Sequence, residues 1–314
     1  MASYLIRRFL LMVLTLFGVS IVIFGLLRVV PGNIADILFD AAGMVDPKEK
    51  AKIIAELGLD KPLVTQYLGW IGGLLHGDLG YSYISEKPTW EEIGPRFPIT
   101  GRLALLTLIF AVGTGVPLGV ISAVRQNTRL DYCLRIVSLT GLSMPSFWLG
   151  LLILMAFVHA FGSIPIYDAS AGFWQSLWLM MVPAAAVGYR SSALIMRLTR
   201  SSMLEVLRQD YVRTARSKGV SEGAVNFDHA LRNAVVPVIT VIGVEAAFLL
   251  GGLIVTETVF NIPGVARFLV EAIRQRDYPI VQNLVMFIAF VVVTINLLVD
   301  MTYVLIDPRI RYSD

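Results

Sequence analysis

The chain is poor in charge and in residues that bind metals. Charged residues make up 16% of its 314 positions, against roughly 25% in soluble globular domains. A single cysteine, Cys133, excludes an intrachain disulfide and a cysteine cluster for zinc or iron–sulfur. The three histidines are scattered, without metal-ligand spacing. Hydrophobic residues make up 56% and the mean hydropathy is +0.72, so the composition predicts an integral membrane protein.

Catalytic motifs are also missing from the sequence. It contains no G-x-x-x-x-G-K-[ST] phosphate loop, no G-x-S-x-G nucleophile elbow and no paired-carboxylate motif. We therefore predict that the chain is not an enzyme by itself. The net charge of +3 does not indicate nucleic acid, because the basic residues lie beside apolar runs, where they set membrane topology.

Six apolar runs are each long enough to cross a hydrocarbon core about 30 Å thick, which takes about 20 helical residues. They are predicted near 9–30, 100–124, 134–160, 177–199, 234–260 and 280–306. The first run follows Arg7 and Arg8, as in a signal peptide, but it continues to Val30 and has no small-residue cleavage site before Pro31. We expect it to be retained as a membrane helix.

The distribution of arginine and lysine predicts the orientation of these runs. Six crossings place both termini on one side, and the basic clusters fall inside when the termini are cytoplasmic. The external segment 161–176 has no basic residue, whereas the external segment 261–279 is an exception to the rule. The external segment 31–98 is too long for the rule to apply. The pattern predicts cytoplasmic termini.

The connections between the runs divide the chain into parts of unequal kind. The predicted divisions are an N-terminus with the first helix, an external subdomain and a five-helix core, at 1–30, 31–98 and 99–314. In the subdomain, Pro47 begins and Gly58 ends one helix, and a second covers Leu63–Leu75. The subdomain is either a cap over the external mouth or a docking surface for a delivery protein, or both.

The basic segment between the fourth and fifth runs predicts an amphipathic helix near 204–219 on the internal side. One face carries apolar residues at steps of three and four, namely Leu204, Leu207, Tyr211 and Ala215. Gly219 ends this helix by taking a positive φ. The face suits a groove on another protein, and the same cationic and apolar combination suits anionic lipid. Periodicity leaves both open.

Polar residues within the apolar runs are functional candidates, because a charge in hydrocarbon is costly. They are Arg190, Glu245, Glu257, Asn296 and Asp300. A proton relay would use Glu245 and Asp300, whereas the position of Glu257 and Asp300 near the run ends favours interhelical hydrogen bonds. Glycines and prolines within the runs predict close packing and bends, at Gly113, Gly115, Pro117, Gly119 and Pro145.

The run Asp210–Gly219, followed by Ala230–Pro237, resembles the cytoplasmic signature of permease subunits of the dipeptide/oligopeptide/nickel family of ABC importers. Other runs similar to that family occur in family order along nearly the whole chain. They are Arg7-Arg8 with Gly18–Ser20, Leu27–Gly32, Gly77–Ser82, Ser143–Trp148, Glu257–Phe260 with Pro263-Gly264, Arg276–Pro279 and Asp307–Arg311. One such run would be weak evidence, but the ordered set is highly specific.

The resemblance implies a multi-pass, all-α protein of the bacterial inner (cytoplasmic) membrane that forms half of a translocation pathway. Its implied partners are a second, related permease, two ATPase subunits, an extracytoplasmic substrate-binding protein and the lipid bilayer. ATP and Mg would be bound by the ATPase subunits, with no cofactor in this chain. The amphipathic helix would be the coupling helix, inserted into a groove on an ATPase subunit.

The resemblance also implies roles for particular residues. For coupling to the ATPase they are Leu207, Asp210, Tyr211, Val212, Arg213, Ala215 and Gly219, and for the pathway or its gating they are Glu257, Phe260, Pro263 and Gly264. The general importer pattern has Glu-Ala-Ala, three residues and Gly, whereas here Arg213-Thr214-Ala215 precedes Gly219. The glutamate is missing, and Asp210 is a candidate for its contact.

Two other function classes stay open beside the importer. An ion-gradient-driven secondary transporter would use Glu245 and Asp300, and a membrane scaffold or assembly factor would need no coupling helix. The solute is equally open. Dipeptides, oligopeptides, glutathione, nickel chelates, oligosaccharides and opine-like solutes are all compatible with the resemblance.

Overall fold

The computed structural model describes residues 2–29, 35, 47–162, 167–168 and 172–306, and this part of the chain is helical with no β-strand. The helices are α1 (Ala2–Val29), α2 (Pro47–Glu56), α3 (Leu63–Leu75), α4 (Thr89–Ile93), α5 (Phe97–Val124), α6 (Arg129–Ser143), α7 (Ser146–Phe161), α8 (Phe173–Val206), α9 (Asp210–Ser217), α10 (Glu222–Ala224), α11 (Arg232–Gly252), α12 (Ile254–Val259), α13 (Val265–Arg274) and α14 (Tyr278–Ile306). The end of the family-like run Leu27–Gly32 and the whole of the family-like run Asp307–Arg311 lie outside the described residues.

Among the described residues, five helical stretches are long and apolar enough to cross a membrane. They are Ile6–Val29, Thr89–Val124, Phe173–Val206, Glu222–Leu249 and Tyr278–Met301. The pair α6 and α7 meets the same test only when its two helices are taken together. The all-helical architecture predicted from hydropathy is thereby confirmed for the described residues, with five or six candidate membrane crossings.

The third predicted span is not a continuous helix. The chain bends by 107° between α6 and α7, where Met144 has extended backbone angles and Pro145 precedes the first residue of α7. A proline disfavours the helical conformation of the residue before it and lacks an N–H. The bend expected at Pro145 is confirmed, and the run predicted near 134–160 is divided between α6 and α7. The fifth run, 234–260, is likewise divided between α11 and α12 at Leu253.

The chain separates into two compact units. One contains Met1–Ile99 and Pro263–Thr294, and the other contains Thr100–Ile262 and Ile295–Asp314. A core of buried aliphatic side chains from α4, α13 and α14 holds the first unit together, formed by Ile93, Val265, Ala272, Ile280, Val281 and Leu284. The predicted external helices belong to this unit.

The two helices predicted within 31–98 follow the sequence prediction closely. The helix α2 begins at Pro47, and Gly58 shortly after its end has φ of +65°, the left-handed conformation that glycine adopts without strain. The helix α3 covers the predicted residues, Leu63–Leu75. Both predicted elements are confirmed.

The loop after α3 is tied to the start of α14 within the same unit. The Ser82 hydroxyl and the Tyr83 N–H both donate to the buried carboxylate of Asp277. The Asn283 side-chain amide donates to the Leu79 carbonyl at 2.6 Å. Burial raises the pKa of the Tyr83 phenol. Two family-like runs, around Ser82 and around Asp277, therefore form one hydrogen-bonded cluster.

The second unit is built around α8. In its most apolar window 61% of residues are buried inside the protein, compared with 6–28% in the other four long stretches. Close packing against α5 depends on glycine, since a Cβ built at Gly119 would stand 2.6 Å from the Thr199 Cβ and one at Gly115 would stand 2.8 Å from the Ser192 carbonyl. The predicted close packing is confirmed at these two glycines, whereas Gly113 has open space.

Candidate functional site

The basic segment after α8 forms a separate short helix and not one helix over 204–219. The long α8 ends at Val206, and Gln209 has extended backbone (φ −71°, ψ 150°) before α9 begins at Asp210. An acidic residue in the first turn is a normal helix-start signal, since it complements the positive end of the helix dipole. This break corrects the predicted bounds of the amphipathic helix.

The break also changes which residues face inward. Val212 is fully buried and Ala215 nearly so, and both pack with Val225 of the following π-helical turn, Val225–Leu231. Leu207 packs on the edge of the same cluster. Tyr211, which periodicity placed beside Leu207 and Ala215 on one face, is 44% exposed. The single apolar face predicted over Leu204–Ala215 is therefore wrong, because the turn between the helices rotates the phase of the pattern.

The outward side of α9 is polar, basic and aromatic. Its exposed residues, with those of the turn that follows, are Asp210, Tyr211, Arg213, Thr214, Arg216, Ser217, Lys218 and Gly219. The Tyr211 hydroxyl accepts a hydrogen bond from the Asn233 side chain at 2.8 Å. Arg216 donates two hydrogen bonds to Glu222, at 2.9 and 3.2 Å. These hydrogen bonds orient the exposed side chains of Tyr211 and Arg216. Both ends of α9 remain accessible to a partner protein.

A left-handed glycine closes the helix. Gly219 has φ of +80°, its N–H bonds to the Arg216 carbonyl at 2.9 Å, and the Val220 N–H returns to the Ala215 carbonyl at 3.2 Å. This is the arrangement in which a glycine after the last turn satisfies orphan carbonyls. The positive φ predicted for Gly219 is confirmed.

The residues against which α9 packs connect this helix to the long helices of the same unit. The end of α8 packs through Met203 against Ala230 and Ala234, and against Val120 and Ala123 of α5. The Ser202 hydroxyl donates to the Ala234 carbonyl at 2.8 Å. These contacts connect α9, through the end of α8, to α11 and α5.

A buried ion pair lies at this same end of α8. Arg200 donates to both oxygens of Asp131, at 2.8 and 2.9 Å, and Asp131 is fully buried. The carboxylate also accepts from the Ser122 hydroxyl at 2.6 Å and from the Asn127 N–H at 3.0 Å. The sequence alone does not identify this cluster, because Asp131 and Arg200 are far apart in the chain. A single aspartate or a single arginine does not by itself indicate an ion pair.

The residues assigned to the pathway or its gating divide between the two units. Glu257 is fully buried in α12 and accepts from the Thr100 hydroxyl at 2.5 Å, and the ring of Phe260 packs against Gly150 of α7. Pro263 and Gly264 belong to the other unit, where Gly264 precedes α13. The interhelical hydrogen bond predicted for Glu257 is present, and the gating roles stay predictions.

The residues proposed for a proton relay have local partners. Glu245 is buried in α11 and accepts a short hydrogen bond from the Ser191 hydroxyl of α8. Within the described part of the chain, no group of three or more His, Cys, Asp and Glu side chains is arranged to hold a metal ion.

Comparisons with known proteins cover the whole chain. The family described as "binding-protein-dependent transport system inner membrane component" matches residues 115–312, and the corresponding N-terminal family of these membrane components matches residues 1–104. The Dipeptide transport system permease protein DppB of Escherichia coli (strain K12) is 39% identical over 339 residues, with 100% of both chains covered.

Two further relatives have the same extent of similarity. The Di/tripeptide transport system permease protein DppB of Pseudomonas aeruginosa (strain UCBPP-PA14) is 40% identical, and 100% of both chains is covered. The Probable peptide ABC transporter permease protein y4tP of Sinorhizobium fredii (strain NBRC 101917 / NGR234) is 40% identical, covering 99% of this chain and 100% of its own. The ordered set of similar runs in the sequence thus has full-length counterparts.

Proposed function

Since this chain belongs to the family of inner membrane components of binding-protein-dependent transport systems, we propose that it forms half of the pathway through which an ATP-driven importer moves small peptides. The chain is a permease subunit and a multi-pass protein of the inner membrane. Relatives aligned over their full length are named for dipeptides, di- and tripeptides, or peptides. Their names support a peptide as the solute.

The energy source lies outside this chain. The sequence has no phosphate-binding loop, so two partner ATPase subunits bind ATP and Mg. A second, related permease completes the pathway, and an extracytoplasmic binding protein delivers the peptide. We place both termini and α9 in the cytosol with six crossings, the pair α6–α7 counting as one, because this orientation puts the basic clusters inside.

The observation that supports the proposal is that one side of α9 packs against the end of the long helices while its other side is exposed. Val212 and Ala215 fix the helix to the end of the long spans, while Tyr211, Arg213 and Asp210 are exposed and available to an ATPase subunit. Closure of an ATP-bound ATPase dimer would move α9 as a rigid body. The spans then exchange an inward-open for an outward-open arrangement, which is a population shift driven by ATP.

The ion-gradient alternative is not favoured. The relatives are permeases of transport systems, one of them named as an ABC transporter component, and Glu245 is buried against Ser191. A carboxylate in such a relay would need access to water on at least one side during the cycle. An interhelical hydrogen bond accounts for Glu245 without that requirement.

The direct test is uptake by proteoliposomes that contain the complete importer. With ATP inside and the loaded binding protein outside, radiolabelled dialanine should accumulate in the lumen. Omission of ATP, of the ATPase subunits or of the binding protein should each abolish uptake. Accumulation by this chain alone under a proton gradient would contradict the proposal and restore the secondary transporter.

A further inference from the structure

A single arginine stands out on the most buried helix of the protein. Arg190 lies at the middle of the 34-residue α8. In the stretch 183–196, all of which the structure describes, Arg190 is the one exposed residue, and every other residue is buried or half-buried. A charged side chain at this position is costly unless it faces water, a partner or a ligand.

Arg190 lies inside the run near 177–199 that hydropathy predicts to cross the membrane. About 25 Å of helix lies on either side of it, at about 1.5 Å per residue, whereas half of the hydrocarbon core is about 15 Å thick. Among the described residues Arg190 makes no ion pair. The buried Glu245 on the neighbouring α11 bonds to Ser191 instead. The guanidinium charge therefore needs an anionic partner inside the membrane that the described residues do not supply.

A cavity opens beside this arginine, entirely within the second unit. It has a volume of about 460 Å³ and lies between the bend at Met144 and Pro145, the middle of α8 and the end of α11. This volume is within the range of small-molecule sites, about 300–1,000 Å³. Among the lining residues, all of them described, Arg190 is the only ionisable side chain. The cavity walls are thus mostly apolar, with three serines and one fixed positive charge.

Aromatic contact holds the guanidinium at the cavity. Its central carbon is 5.6 Å from the centre of the Phe248 ring, which also lines the space. A cation within about 6 Å of an aromatic face is attracted by the ring quadrupole. The planar guanidinium can still form two parallel hydrogen bonds with a carboxylate, the geometry that arginine favours.

We propose that Arg190 and this cavity form a transit site that binds the terminal carboxylate of the peptide inside the membrane. The inference rests on the proposed function and extends it to the class of solute. A site with one cation and no acid selects a carboxylate over a metal chelate of positive charge or a neutral sugar. The apolar walls accept side chains of varied shape, since they offer few fixed hydrogen bonds.

The test uses the complete importer in proteoliposomes and compares Arg190→Gln, Arg190→Lys and the control Arg197→Gln. Arg197 is exposed on the same helix but does not line this cavity. We expect Arg190→Gln to lower dialanine uptake at least about tenfold, the effect of losing one charge-assisted pair, while binding-protein-stimulated ATP hydrolysis persists. Arg190→Lys should retain more uptake than Arg190→Gln, and the Arg197 variant should be close to wild type.

A second arm identifies the group that is bound. Dialanine or its C-terminal amide is loaded inside the vesicles, where the binding protein plays no part in recognition. Dialanine should slow wild-type uptake from within, its amide should not, and Arg190→Gln should be insensitive to both. Equal inhibition by the amide overturns the carboxylate assignment.

The outcomes separate this inference from the function on which it rests. Wild-type uptake with unchanged uptake in Arg190→Gln would refute the transit site alone. No ATP-dependent uptake of dialanine by the wild type would refute the peptide function. If Arg190→Gln fails to assemble with the ATPases, the wild-type comparison of dialanine with its amide decides the question.

Discussion

Single buried carboxylates join distant segments of this chain at several places. Asp131, Glu257 and Asp277 are each almost fully buried and each accepts a hydrogen bond from a hydroxyl side chain. An unpaired buried carboxylate would be strongly unfavourable, so these partners are obligatory. The sequence marked Glu257 and the run around Asp277 as notable, but it did not identify their hydroxyl partners, because Thr100 and Ser82 are remote in the chain and are common residue types.

Asp131 gives the clearest prediction for a single residue. Replacement by Asn keeps the shape but removes the charge that faces Arg200, leaving that guanidinium largely uncompensated. We expect Asp131→Asn to lower the free energy of unfolding by about 3 kcal/mol, seen as a lower thermal-unfolding midpoint of the purified protein in detergent. Asp210→Asn is the matched control, because its side chain is 98% exposed and should change the midpoint little. Equal midpoints for wild type and Asp131→Asn would show that the pair contributes nothing to stability.

The sequence predicted most helices well, because long apolar runs and helix-stop signals report local preferences. Pro47, Gly58 and Gly219 occupy the positions that their backbone preferences predict. The sequence-based prediction failed where one periodic pattern extended over two separate helices. Helical spacing alone does not detect the extended residue Gln209 between α8 and α9. The acidic residue Asp210 was the available start signal. Recognising it would have shown that Val212, and not Tyr211, faces inward.

The end of α9 provides a prediction about coupling. A Cβ at Gly219 meets nothing within 4 Å, so the cost of Gly219→Val is the left-handed backbone, about 1–2 kcal/mol, and not a clash. We expect this variant to insert normally and to hydrolyse ATP through its partners, with uptake per ATP reduced several-fold. Gly223→Val tests the same side chain at a nearby glycine that has open space and no positive φ. Coupled transport at the wild-type ratio in Gly219→Val would remove this glycine from the coupling device.

Packing between α5 and α8 gives a prediction about stability. Gly119→Ala places a methyl group against Thr199 and the Met196 carbonyl, at distances that real Cβ atoms do not show. We expect this overpacking to cost about 1–3 kcal/mol, measured by thermal unfolding in detergent. Gly113→Ala on the same helix has open space and should be neutral or slightly stabilising, since alanine favours helix. Similar destabilisation by both variants would show that the close contact is not what makes glycine necessary.

Across the whole molecule, the division of labour follows from what the chain has and lacks. Its long apolar helices supply crossings of the membrane, its sequence holds no nucleotide-binding loop, and its family is defined by a binding-protein-dependent transport system. The sequence could predict this assignment because the similar runs extend over the whole chain. It could not predict the cavity at Arg190, which depends on four helices brought together by the fold.

The most direct measurement of the central claim is site-directed cross-linking between α9 and an ATPase subunit. In a Cys133→Ser background, Arg213→Cys supplies one exposed thiol on α9, whereas Ala215→Cys places it in the buried cluster. Tyr81→Cys places it on the exposed loop after α3, which we propose is external. With a short reagent that joins this thiol to an amine of a neighbouring protein, and with the assembled importer, we predict a cross-link from position 213 to the ATPase and none from positions 215 or 81 to it. A cross-link from position 81, or none from position 213 in a complex that transports, would contradict the account.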